Sequence, residues 1–142
     1  MPHLTLGALQ LAAAVLGADP GVVYHGGRNE LQVRPPRIEA EVEVDGRLDE
    51  AVWTQAAVLT GFSQYQPVDG IPAADSTEVL VWYSPTALHF GIRAYEPHGV
   101  VNATLADRDR IDGDDHVVIL LDTYADGRRA LVFAVNPFGI QS

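Results

Sequence analysis

The sequence predicts an all-β protein, an antiparallel β-sandwich with one short helix. Three observations carry that expectation. Residues 115–141, DHVVILLDTYADGRRALVFAVNPFGIQ, hold two aliphatic, β-branched runs at 117–121 and 131–135, separated by Asp126-Gly127, a dipeptide suited to a tight hairpin turn. Residues 78–83 and 88–95 flank Ser84-Pro85-Thr86-Ala87 and read as a second hairpin. Residues 38–44, IEAEVEV, alternate apolar and acidic side chains, the period of a half-buried strand.

The 142 residues suit one domain, and a 47% hydrophobic content is ordinary for a packed core. Nine basic against 19 acidic side chains leave a formal charge of 9 − 19 = −10. That field repels phosphate backbones and argues against nucleic acid as a partner. The chain has no Cys, which removes disulfides, thiolate nucleophiles and Cys-ligated zinc and leaves the compartment open.

Residues 4–18, LTLGALQLAAAVLGA, are apolar and small, too short for a comfortable membrane span. They read as the core of a secretory signal occupying 1–18, with cleavage near Ala12-x-Ala14 or Ala18, although no Lys or Arg precedes Arg28. A buried N-terminal helix is the other reading. Residues 19–36, rich in Gly, Pro and polar groups, read as a linker. Residues 37–142 form the domain. In 38–44, Ile38, Ala40, Val42 and Val44 face inward. After the turn at Asp45-Gly46, residues 48–53 read as a helix start, with Asp49 capping, Glu50 at the positive end and Leu48 stapled onto Trp53. Residues 64–76 are a Pro/Gly/Asp loop.

In the 78–95 hairpin a four-residue loop sets Tyr83 opposite Leu88, Val81 opposite Phe90 and Val79 opposite Ile92, and this face is read as core. The other face carries Trp82 beside His89, Leu80 beside Gly91 and Glu78 beside Arg93. In the 115–141 hairpin a two-residue loop at Asp126-Gly127 sets Asp122 opposite Leu131, Leu120 opposite Phe133 and Val118 opposite Val135. Leu121 then faces Val132 and Ile119 faces Ala134. Both faces come out apolar, so covering on both sides is expected.

Three sites come into question. The loop at 97–116 gathers Asp107, Asp109, Asp112 and Asp114, and carboxylates at such spacing can surround a hard cation such as calcium. The spacing is not an EF-hand, Arg108 and Arg110 partly neutralise it, and a solvated turn-rich loop is the plainer reading. Trp82, His89, Arg93 and Glu78 form, if their face is open, an aromatic floor with polar edges suited to a sugar ring. If a loop or the Trp53 helix covers Trp82, it is core. A glycosidase pair drawn from Glu78, Asp114 and Asp115 lacks any sign of the dry pocket that such a pair needs. The Ser and His residues fit no nucleophile or metal motif, so no catalytic residue is assigned. Glu78 is read instead as a salt-bridge partner of Arg93.

The succession VDGRLDEAVWTQA (44–56), FSQYQPVDGIPAADSTEVLVWYSPTALHFGIRAYE (62–96) and RDRIDGDDHVVILLDTYADGRRALVFAVNPFGIQ (108–141) resembles the family 9 carbohydrate-binding modules. It is most similar to the type at the N-terminus of large bacterial outer-membrane proteins of unknown function. The matching signatures are Asp45-Gly46 to Trp53, Thr77-Glu78-Val79, Asp115 to Asp122, and Asn136-Pro137 to Gln141, over roughly 37–142. The resemblance implies a β-sandwich and export, whether to periplasm, outer membrane or extracellular space. It also implies binding of a glycan or oligosaccharide, calcium in some members, and service to carbohydrate catabolism beside glycan-degrading enzymes. The family pattern runs on into more strands, so a fragment is expected here, whose C-terminal remainder is a partner and includes a membrane barrel in the outer-membrane type. Family members that grip a sugar do so between two Trp residues, and only Trp82 maps here as a platform. The alternatives are a structural or docking domain without a sugar site and, more weakly, part of a glycoside hydrolase.

Overall fold

Strands β3 (Thr77–Tyr83) and β4 (Leu88–Ala94) form the hairpin that the sequence predicts, and every expected cross-strand pair from Glu78↔Arg93 to Tyr83↔Leu88 is present. Its loop is closed by Ser84, whose N–H donates to Ala87 O (2.8 Å) and whose Oγ accepts from Ala87 N–H (3.1 Å). The computed structural model describes residues 20–97, 99–105, 107 and 110–142. The expected signal segment 1–18 lies outside them, as does Asp109. The described chain is rich in strands with almost no helix and carries two sheets. Its described residues divide into two units, one within 20–94 and one within 95–142.

The first unit holds a four-stranded sheet in the order β1-β2-β3-β4, with β1 at Val23–His25 and β2 at Ala57–Thr60. β1 runs parallel to β2, so the sheet is not wholly antiparallel. Residues 19–36 are therefore more than a linker, since they supply β1 and a 3-10 turn at Gly26–Arg28. The 38–44 segment does not join the sheet as a strand. A single bridge, Arg37↔Tyr83, tethers its start. Its alternation survives in the packing: Ile38, Ala40 and Val42 lie against the core while Val44 is exposed.

The expected helix is a 3-10 turn, Ala51–Gln55. Its Val52 and Trp53 pack with Ala56, Leu80 and Trp82 into the core of this unit, and Leu48 packs on the cluster as expected. This corrects the expected facing of the β3–β4 hairpin in part. Val81, on the face read as core, is buried, but Tyr83 and Leu88 at its end are 41% and 44% exposed, and the Trp82–Leu80 side is covered as well. Gly91 is the reason. It lies opposite Leu80, and a Cβ there would sit 2.8 Å from Leu48 Cδ2 and 2.9 Å from Trp53 Cζ3. The missing side chain leaves the hollow that Leu48 and Trp53 fill.

The second unit holds the antiparallel pair β5 (Val117–Leu121) and β6 (Leu131–Val135), with the expected bounds. The register differs by one residue. Ile119, not Leu120, faces Phe133, and Leu121 faces Leu131. The cause is the turn. Asp122, rather than a two-residue Asp126-Gly127 loop, organises the connection: its carboxylate accepts from Gly127 N–H (2.8 Å) and Tyr124 N–H (3.1 Å). Ala125 and Gly127 both take positive φ, and the loop spans 122–130. A slip of one residue exchanges the two faces of a strand. Both faces are apolar as expected, but the expected cover is incomplete on both: Val118, Leu120 and Val132 on one are 43%, 64% and 58% exposed, and Leu131, Phe133 and Val135 on the other 53%, 52% and 38%.

Candidate functional site

Trp82 is wholly buried, so of the two readings of this residue the covered one holds and the open platform is not formed. His89, its cross-strand neighbour, stacks on the indole at 3.8 Å between centroids and 7° between planes. It takes the face that a sugar ring would need. Trp53 meets Trp82 edge-on at 6.0 Å and 76°. The Trp82 and His89 Nε positions are buried and find no hydrogen-bond partner among the described residues, a cost that such packing must offset. Arg93 and Glu78 lie further along the same face as an ion pair at 3.6 Å, as the sequence reading expects. The structure thus gathers all four residues on one face and closes its aromatic end.

An open cleft of about 270 Å³ lies beside this cluster, lined by Val42, Glu43, Arg47, Trp53, His89 and Phe90 among others. Its shape follows from two local devices. Asp45 and Gly46 (φ 82°) turn the chain, and Asp45 Oδ1 accepts from Arg47 N–H at 2.8 Å. Glu50 then clamps the wall: one oxygen accepts from Glu43 N–H (3.1 Å), the other from the Trp53 indole N–H (2.9 Å). The backbone N–H groups of Glu50 and Glu43, with the Trp53 N–H, hold the Glu50 carboxyl below its usual range. Apolar rings at the floor and charged groups at the rim are the makings of a small polar-ligand site. Sequence reasoning took Glu50 for a helix-dipole residue and missed the cleft, whose signal is the conjunction of Asp45-Gly46, Glu50 and Trp53. A second cleft, of about 300 Å³, is lined by His25, Thr60, Phe62, Asp75 and Thr77 among others.

In the second unit the acidic loop is organised by Asn136, a buried side chain that sequence reasoning noted only as part of a motif. Its amide N–H groups donate to Asp114 Oδ2 (2.8 Å) and Thr104 O (3.0 Å), and its Oδ1 accepts from Phe138 and Ile140 N–H (both 3.0 Å). Asp114 also accepts from Thr104 N–H and Oγ–H. The Asn136 amide, then the Thr104 N–H, hold the Asp114 carboxyl below its ordinary value of 3.8. Asp115 accepts from Asn102 N–H at 2.8 Å.

Among the described residues no group of three or more His, Asp or Glu is placed to hold a metal ion. Asp107 and Asp112 are exposed, and Asp114 faces donors. No helix among the described residues is long and apolar enough to cross a membrane. No protein-family model, no curated protein and no solved structure matches the chain.

Proposed function

We propose that this chain is a non-catalytic carbohydrate-binding module of an exported protein, a β-sandwich that serves carbohydrate catabolism by holding a glycan. The ordered resemblance over 37–142 motivates the reading, and the cleft beside Trp53 is the observation that supports it. Its apolar floor suits the C–H face of a sugar ring, and Glu43 and Arg47 at the rim suit its hydroxyls. The ligand site of this proposal is that cleft and not the face of Trp82. The net charge of −10 favours a neutral glycan over an acidic one.

The test is a glycan array probed with the full chain, alongside Arg47→Ala. The expected result is binding of a neutral oligosaccharide that weakens at least about tenfold in the variant. Binding unaffected by Arg47→Ala moves the site elsewhere, and no binding to any glycan removes the reading. Running the array with calcium and then with chelator tests whether the 107–114 loop contributes an ion.

A second reading is a docking domain of an outer-membrane protein without a sugar site. Two observations favour it: the burial of Trp82, and the exposed apolar side chains of β5 and β6.

A further inference from the structure

Strand β5 has an edge that no described residue pairs with, and we propose that a second copy of this chain adds to it antiparallel, with Ile119 on the two-fold axis. The inference concerns residues 95–142 alone and stands apart from the carbohydrate reading.

The edge can be identified from hydrogen bonds. Ala134 commits both backbone groups to Ser142: its N–H donates to Ser142 O, and its carbonyl accepts from Ser142 N–H, each at 3.0 Å. Asn136 N–H likewise donates to Ile140 O at 3.0 Å. Successive residues of a strand turn their backbone groups to opposite edges. The even-numbered residues of β6 thus bond away from β5. Val118, opposite Ala134, and Leu120, opposite Val132, must do the same on their own strand. Their N–H and C=O groups point out of the sheet edge, and no backbone bond among the described residues reaches them.

This parity restricts how a second copy can pair. Outward groups lie on even residues, so even must meet even. Of the registers that satisfy this, the one centred on Ile119 overlaps the whole strand. Val118 then faces Leu120 of the second copy on each side of the axis, and each pair exchanges both its bonds. Just past the strand ends, His116 falls opposite Asp122 of the second copy, an imidazole against a carboxylate and not like against like. β5 carries no charge and no Pro, the usual devices that keep edges apart. Pairing would turn a two-stranded hairpin, marginal on its own, into a four-stranded sheet. The contact is self-complementary and closes on itself.

The test uses the full chain in sedimentation and in mild oxidation. Ile119 would oppose itself as a non-hydrogen-bonded pair, with Cα atoms about 4.5 Å apart, inside disulfide range. The chain has no Cys of its own, so Ile119→Cys reports on the axis alone. The expected results are a dimer in sedimentation and an oxidised dimer from Ile119→Cys at least about tenfold faster than from Val118→Cys, whose sulfurs would lie diagonally apart. Leu120→Lys, at an exposed position, should keep the amide-exchange protection of β6 and weaken the dimer about tenfold or more. A chain that stays monomeric at every concentration, or equal cross-linking by the two cysteine variants, overturns the proposal. A dimer that binds no glycan removes only the carbohydrate reading.

Discussion

In residues 20–94 the aromatic Trp82 is fully buried among Val52, Trp53, Ala56 and Leu80, whereas in residues 95–142 Leu120, Val132 and Phe133 all stay more than half exposed. The two units spend similar side chains differently. The first builds its order from apolar burial, which scales with the area removed from water. Among the described residues of the second, the buried side chains are Ile111 and Asn136, and its ordering comes largely from polar groups. Asn136 fastens Thr104 O, 32 positions away in sequence, while fixing the turn at Phe138 and Ile140. Short strands can thus be held by a packed face or by one well-placed amide. The second way leaves the strands' own apolar surface available to a partner.

The largest effect that can break this comparison is Trp82→Ala. Removing the centre of the packed face should cost about 4 kcal/mol, read from denaturant unfolding followed by circular dichroism. A loss below about 1 kcal/mol, the size of an ordinary substitution, would mean that the cluster does not hold the first unit. Next comes Asn136→Ala. It removes several hydrogen bonds at a buried position and leaves the Thr104 carbonyl without that donor, so a loss of about 2 kcal/mol is expected. Amide exchange should show that loss in β5 and β6 and spare β3 and β4.

The sequence exposed different amounts of the two hairpins for a physical reason. Ser84 closes its loop from within the four residues that the pattern marks, so the register of β3 and β4 followed from counting. In the other hairpin the closing group is Asp122, at the end of an apolar run, and its reach to Gly127 N–H widens the loop. Nothing in the Asp126-Gly127 dipeptide announces that, and the register slipped by one. β1 and β2, of 3 and 4 residues, are too short to display a period. They exist because neighbouring strands complete them. The choice of core face turned on Gly91, whose missing side chain matters only once Leu48 and Trp53 arrive. For the site, the sequence named the residues that meet on one face but not that His89 would lie flat on Trp82. That closure, like the clamp by Glu50, depends on tertiary approach and not on local pattern.

The smallest effect, and the one that sharpens the comparison most, is on pH dependence. Four carboxyls among the described residues are held below their ordinary values. Glu50 belongs to the first unit, while Asp114, Asp122 and Asp126 belong to the second. The leading causes are hydrogen bonds: for Asp114 the Asn136 amide, for Asp122 the Gly127 N–H, for Asp126 the Arg128 N–H. A carboxyl whose folded pKa is depressed stabilises the fold wherever the unfolded chain's carboxyl is already ionised, above about pH 4. That contribution is lost as pH falls through the lower folded value. Three such groups against one predict that acid loosens the second unit first. Amide exchange measured on the way down to about pH 3 should show protection in β5 and β6 falling while β3 and β4 still hold. In Asn136→Ala the Asp114 carboxyl should titrate closer to 3.8, visible in its side-chain carbon shift. Uniform loss of protection across both sheets would mean that these hydrogen bonds do not set the acid limit of the second unit, and that its difference from the first lies in packing alone.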